Sequence, residues 1–182
     1  FPSTTGALCF RPSRPVQIRR LALLSVMPDE GPGLAYYHVA RGELGQAAAL
    51  GEDALPAFLA AAVEPNPVIR AGAARALGTL PAGDREAEVA AALRAAARDH
   101  EASVRLDATG SLTTRLGAES AADLADRLDD DSPDVRRAAA AGLTQVGEPG
   151  AAVLVASLTA EAVRVREVAA TILAEASVIG VP

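Results

Sequence analysis

The chain of 182 residues has one cysteine, Cys9, no tryptophan and no lysine. A single cysteine excludes an internal disulfide and a cysteine metal cluster, and it points to a reducing, cytoplasmic setting. Only 3% of the residues are aromatic, too few to build the stacking platforms that hold bases or flat cofactors. All 17 basic residues are arginine, as GC-rich coding tends to produce, and 23 acidic residues outnumber them. The formal charge of -6 argues against a general nucleic-acid binder, because phosphate affinity comes from Lys and Arg. No apolar run reaches the ~20 residues that cross a bilayer, since the stretch Val168 to Pro182 is interrupted by Glu175. Leu21 to Val26, behind Arg19 and Arg20, is shorter than the roughly 7 to 15 residues of a signal-peptide core. The chain opens on Phe1 and its only methionine is Met27, so the first 26 residues are expected to be a truncated or extended start.

Half of the residues are apolar, and alanine dominates them. Alanine has the highest helix propensity, and its small side chain lets neighbouring helices approach closely. A pattern of aliphatic residue, arginine, alanine-rich stretch, leucine and glycine recurs along the chain. It runs from Val68-Ile69-Arg70 to Leu77-Gly78, from Val104-Arg105 to Leu116-Gly117, from Val135-Arg136-Arg137 to Val146-Gly147, and from Val165-Arg166 to Leu173. The arginines at 70, 105, 136 and 166 are 35, 31 and 30 residues apart, which is one supersecondary unit repeated with small changes in loop length. A second helical segment precedes each mark: Ala54 to Val63, Glu86 to Arg98, Ala121 to Leu128 and Ala151 to Leu158. Within the third, Ala121, Leu124, Ala125 and Leu128 follow the spacing of one helix face. Each unit is therefore expected to be a helix pair with the arginine-bearing helix second. Ser132-Pro133-Asp134 reads as an N-terminus, with serine as cap and proline at the first helical position. Gly78, Gly117 and Gly147 read as left-handed C-terminal residues.

These units resemble HEAT-like repeats of the short bacterial and archaeal type found in phycobilisome-lyase relatives. The resemblance rests on Leu50-Gly51-Glu52-Asp53-Ala54-Leu55-Pro56, on Asn66-Pro67-Val68-Ile69-Arg70 through Leu77-Gly78, and on Asp131-Ser132-Pro133-Asp134-Val135-Arg136-Arg137-Ala138 through Gly147. It implies an all-α fold, a right-handed α-solenoid of stacked helical hairpins. Residues 34-182 are then the repeat domain, with about four hairpins behind a leading helix. Residues 1-33 are a partial repeat and loop: Val16 to Ala22 resembles a second helix, and Met27 to Gly33 is loop by its prolines and glycines. Leu34 to Leu50, with Tyr36-Tyr37 and Leu44-Gly45, is expected to be an extra helical element that caps the first hairpin.

Chemical motifs are sparse. The arginines at the repeat period are read as structural, each bound to an acidic side chain or helix-terminal carbonyl of a neighbouring unit, with Glu101, Asp131 and Glu161 near their turns. His100-Glu101 resembles one ligand pair of the HEAT-like di-iron deoxyhypusine hydroxylases, but a metal site needs several converging ligands and His38 has no acidic neighbour in sequence. Asp129-Asp130-Asp131 with Asp134 lacks the bend glycine and distal glutamate of a calcium loop and reads as a solvated turn before a helix. Gly31-Pro32-Gly33 lacks the lysine of a phosphate loop. No catalytic residue and no cofactor is expected.

In a HEAT-like stack the second helices line the concave side, so non-repeating polar residues there are the partner-contact candidates: Arg75, Asp107, Ser111, Arg115, Arg137, Gln145 and Glu167. Their mixed signs suit a protein or peptide over a polyanion, and with no spanning run no membrane partner is expected. The expected function is a non-catalytic protein-binding scaffold. The resemblance also offers a bilin lyase-like accessory enzyme, against which the scarcity of aromatics stands. It further offers a HEAT-like DNA alkylation-repair glycosylase, which needs a basic, aromatic groove.

Overall fold

A computed structural model describes residues 28–178, and among these the chain is all-helical, with no strand. Cys9, the Val16 to Ala22 segment and the region of Leu21 to Val26 lie outside the described residues.

The first helix, α1 (Gly31–Ala40), is followed by the short α2 (Leu44–Ala48). A 3-10 turn then leads into α3 (Leu55–Ala61), which pairs with α4 (Pro67–Leu77). Next come α5 (Glu86–Ala96) with α6 (Ala102–Leu116), α7 (Ala121–Arg127) with α8 (Pro133–Gln145), and α9 (Glu148–Ser157) with α10 (Val163–Val178). The arginine-bearing helix is second in every pair. These second helices also pack on one another in sequence order, α4 on α6, α6 on α8 and α8 on α10, and form a row.

Several helix boundaries have a sequence reason. Asn66 caps α4 by accepting a hydrogen bond from the Val68 N–H at 3.0 Å, and Pro67 and Pro133 take the first turns of α4 and α8, where a missing N–H does no harm. Gly117 and Gly147, at φ +51° and +74°, reverse the chain after α6 and α8 in a region that other residues avoid.

Four local expectations are corrected. Ser132 does not cap α8 with its side chain; the cap region is organised by the Asp130 carboxylate, which accepts from the Ser132 N–H at 2.9 Å. Gly78 has ordinary helical angles (φ -65°), and its need for glycine is steric: a Cβ there would stand 2.7 Å from Ser111 Oγ and 3.1 Å from Ser111 Cα. The Leu34 to Leu50 element is two helices, broken at Gly42, where φ is +77°. The expected Met27 to Gly33 loop already enters α1 at Gly31, with Pro32 in its first turn.

The core follows the composition. Alanine, leucine and valine fill it, with Phe58 fully buried, and Tyr36 nearly so, donating its O–H to the Pro56 carbonyl at 3.0 Å. On α8, the buried Val135, Ala139, Ala140 and Leu143 share one face. Within the row α6, flanked by α4 and α8 as well as by α5 and α7, also buries the polar Thr109 and Thr113. Their hydroxyls donate to the carbonyls one turn back, Arg105 at 2.7 Å and Thr109 at 3.1 Å, which satisfies them inside the row.

Candidate functional site

The four arginines at the repeat period do the same thing in each unit. One guanidinium nitrogen, Nη1, donates to two carbonyls of the turn just before its own helix. For Arg70 these are Glu64 and Pro65 (2.8 and 2.9 Å), for Arg105 Asp99 and His100 (2.9 and 3.1 Å), for Arg136 Asp130 and Asp131 (2.6 and 3.1 Å), and for Arg166 Ala160 and Glu161 (both 2.7 Å). Those carbonyls have no helical partner, so the arginine replaces the missing donors.

The rest of the fork reaches forward to the next unit. Arg70 grips Asp99 through Nε at 2.7 Å and Nη2 at 2.9 Å, and Arg105 grips Asp130 through both at 2.8 Å. Each aspartate also accepts the N–H two residues on, from Glu101 and Ser132 respectively, both at 2.9 Å. Burial pushes the Asp99 and Asp130 carboxyls up, yet the arginine fork and the backbone N–H outweigh it and leave both below the ordinary value of 3.8. The acceptors are thus Asp99 and Asp130, whereas the Glu101 and Asp131 carboxylates give Arg70 and Arg105 only longer-range attraction. The side chain of Asp130 is 4% exposed, so the acidic cluster Asp129 to Asp131 is not uniformly solvated.

Of the seven residues expected to meet a partner, the fold brings three together. Arg75, Asp107 and Ser111 line a groove of about 360 Å³ between α4 and α6. There the 73% exposed Arg75 pairs with Asp107 at 2.7 Å, while Ser111 is buried against Gly78. Arg137 and Glu167 line a second groove of about 370 Å³ between α8 and α10. Gln145 is exposed at the C-terminal end of α8, outside both grooves.

Arg115 is different in kind. Its side chain is only 8% exposed, its Nη1 donates to the Leu77 and Leu80 carbonyls at 2.6 and 2.9 Å, and its Nε and Nη2 hold Glu86 at 2.7 and 2.8 Å. It closes the C-terminal end of α4 and ties it to α5, so all three of its nitrogens serve the fold. Arg115 falls outside the repeat register and looks like a surface residue from sequence; only the stacking of α4 on α6 brings the α4 carbonyls to it.

His100 sits in the turn before α6 with its ring nitrogens 3.3 Å from Asp99 and 3.7 Å from Glu101. No group of three His, Cys, Asp or Glu side chains suited to a metal ion occurs among the described residues. His38 does meet a carboxylate, Glu43, at 2.7 Å across the break between α1 and α2. Among the described residues no helix is long and apolar enough to cross a membrane.

No protein-family model and no curated protein matches this chain. Among solved structures it is similar to the crystal structure of YibA from Escherichia coli, with 22% identity and a TM-score of 0.56 over 89% of this chain and 58% of that one. The chain therefore spans less than two thirds of that neighbour's length, and at this identity the likeness is one of fold.

Proposed function

We propose that the protein is a non-catalytic interaction scaffold, a right-handed α-solenoid of HEAT-like hairpins that binds a protein or peptide along its row of second helices. The observation that carries this reading is how the arginines divide. Arg70, Arg105 and Arg115 are held in largely buried bridges within the chain, whereas Arg75 and Arg137, paired with Asp107 and Asp134, project from the row with side chains 73% and 80% exposed. Asp107, Gln145 and Glu167 lie on second helices as well, so the candidate face carries both signs. A face of mixed charge selects a complementary protein surface and repels a uniformly anionic polymer. Such stacked pairs offer an extended surface without a convergent chemical centre. The lone cysteine is in keeping with a cytoplasmic setting.

The test is affinity capture from lysate with wild-type bait beside the Arg75→Glu and Arg137→Glu variants, singly and combined, with bound proteins identified by mass spectrometry. Both arginines are exposed, so far-UV circular dichroism of the variants should match wild type. The combined variant should lose a partner that wild type retains; an unchanged set of captured proteins removes the row of second helices as the binding face.

A further inference from the structure

Aligned on the repeat arginines, the residue six positions earlier is Glu64, Asp99, Asp130 and Ala160 in the four units. Asp99 closes the fork of Arg70, and Asp130 closes that of Arg105. The same register sets Ala160 opposite Arg136, and alanine has no carboxylate to offer. Arg136 is nonetheless seated like its counterparts, with Nη1 on the Asp130 and Asp131 carbonyls. Its Nε and Nη2 have no acceptor among the described residues. Across this junction the ionic contacts among the described residues are exposed ones, of Arg164 with Asp129 at 3.2 Å and with Asp131 at 3.5 Å, a class worth little in water. The groove between α8 and α10 runs beside the open fork, walled by Arg136, Ala140, Val168 and Ile172, with Arg137 and Glu167 at its edge.

We propose that this groove docks an acidic turn of a partner protein, whose Asp or Glu carboxylate takes on Arg136 the place that Asp99 and Asp130 hold on Arg70 and Arg105. The charge complement is drawn from the chain itself. Twice the same arginine in the same setting binds a carboxylate through two parallel N–H bonds, the geometry in which a guanidinium is most selective. The apolar walls accept the side chains that flank the carboxylate, and Glu167 disfavours a wholly anionic ligand such as a nucleic acid. The proposal rests on the scaffold reading for the partner being a protein, but its site is confined to the α8–α10 junction, away from Arg75.

The probe is a fluorescein-labelled peptide with the sequence of residues 128–133, Leu-Asp-Asp-Asp-Ser-Pro, the turn that presents Asp130. Its counterpart has asparagine at the three aspartates. Binding to the full chain is followed by polarisation and by the Arg136 Nε–H resonance. Saturable binding is expected, weakened by about tenfold or more in the asparagine peptide, as loss of a charge-assisted pair implies. Ala160→Asp supplies the missing carboxylate from within; it should raise the melting temperature by roughly 2–4 °C and abolish peptide binding. Thr171→Glu, on the exposed lip of the groove, should weaken binding without that rise. Sodium acetate at equal carboxylate concentration should shift the resonance far less. The proposal is overturned by any of three results: no saturable binding at millimolar peptide, equal binding by the Ala160→Asp variant, or acetate acting as well as the peptide. Any of these leaves the capture experiment with Arg75→Glu to decide the scaffold reading separately.

Discussion

Replacing Asp130 with alanine is expected to remove about 3 kcal/mol of stability, and the figure follows from its surroundings. The carboxylate is nearly enclosed and accepts three hydrogen bonds: two from Arg105 at 2.8 Å and one from the Ser132 N–H at 2.9 Å. Truncation leaves the Arg105 guanidinium, 14% exposed, with two unmatched N–H groups. Removing one partner of a buried pair costs about 3–5 kcal/mol. Arg105 keeps its bonds to the Asp99 and His100 carbonyls, which sets the value at the low end. At about 2–4 °C per kcal/mol for a chain of this size, the melting temperature should drop by roughly 6–12 °C. The control is Asp131→Ala one residue away, whose side chain is 94% exposed and paired with Arg164 at 3.5 Å, which should cost about 0–1 kcal/mol. Thermal and urea unfolding by far-UV circular dichroism reads both. Equal losses from the two substitutions would falsify the claim that Asp130 is the bridge between units. The double variant Arg105→Met, Asp130→Leu is informative in a second way. An isolated ion pair is often replaceable by apolar residues, but here the Asp99 and His100 carbonyls would be orphaned, so the double variant should remain destabilised.

Two further outcomes follow from the same structure. The Asp99 and Asp130 carboxyls lie below 3.8 in the folded chain, so their stabilisation is fully present above about pH 4 and is lost as pH falls through the lowered values; the melting temperature should decline below about pH 4, and Asp99→Asn with Asp130→Asn should flatten that decline. Matching acid limbs for wild type and double variant would contradict it. Gly78→Ala should cost about 1–3 kcal/mol, because its Cβ meets Ser111 at 2.7–2.8 Å, with the Cα at 3.1 Å; Gly45→Ala, helical with nothing within 4 Å, should instead gain up to about 1 kcal/mol. A chemical-denaturation midpoint that moves the same way for both would show that helix propensity, not the approach of α4 to α6, governs these sites.

Much of the local structure was legible in the sequence. The segments expected at Glu86 to Arg98 and Ala121 to Leu128 are the helices Glu86–Ala96 and Ala121–Arg127, because propensity, caps and glycine stops act over a few residues. The left-handed roles of Gly117 and Gly147 were legible for the same reason. Gly78 was not, since what it avoids is Ser111, thirty-three residues away and on another helix. The register that singles out Glu64, Asp99, Asp130 and Ala160 was present in the sequence too. It was hidden because the turns before α6 and α8 hold more than one acidic residue, and nothing local distinguishes Asp130 from Asp129 or Asp131.

Sequence alone determined that the chain forms helix pairs at a period near thirty residues, with an arginine at one fixed place in each, because helix formation and termination are short-range physics. The tertiary structure decided what each charge does. Arg75 and Arg115 are both arginines in the last turn of a second helix, yet one projects from the row and the other closes the end of the neighbouring helix. That difference depends on which carbonyls and carboxylates 25 to 38 residues away are brought within hydrogen-bond reach, and the reach exists only once one helix pair has stacked on the next.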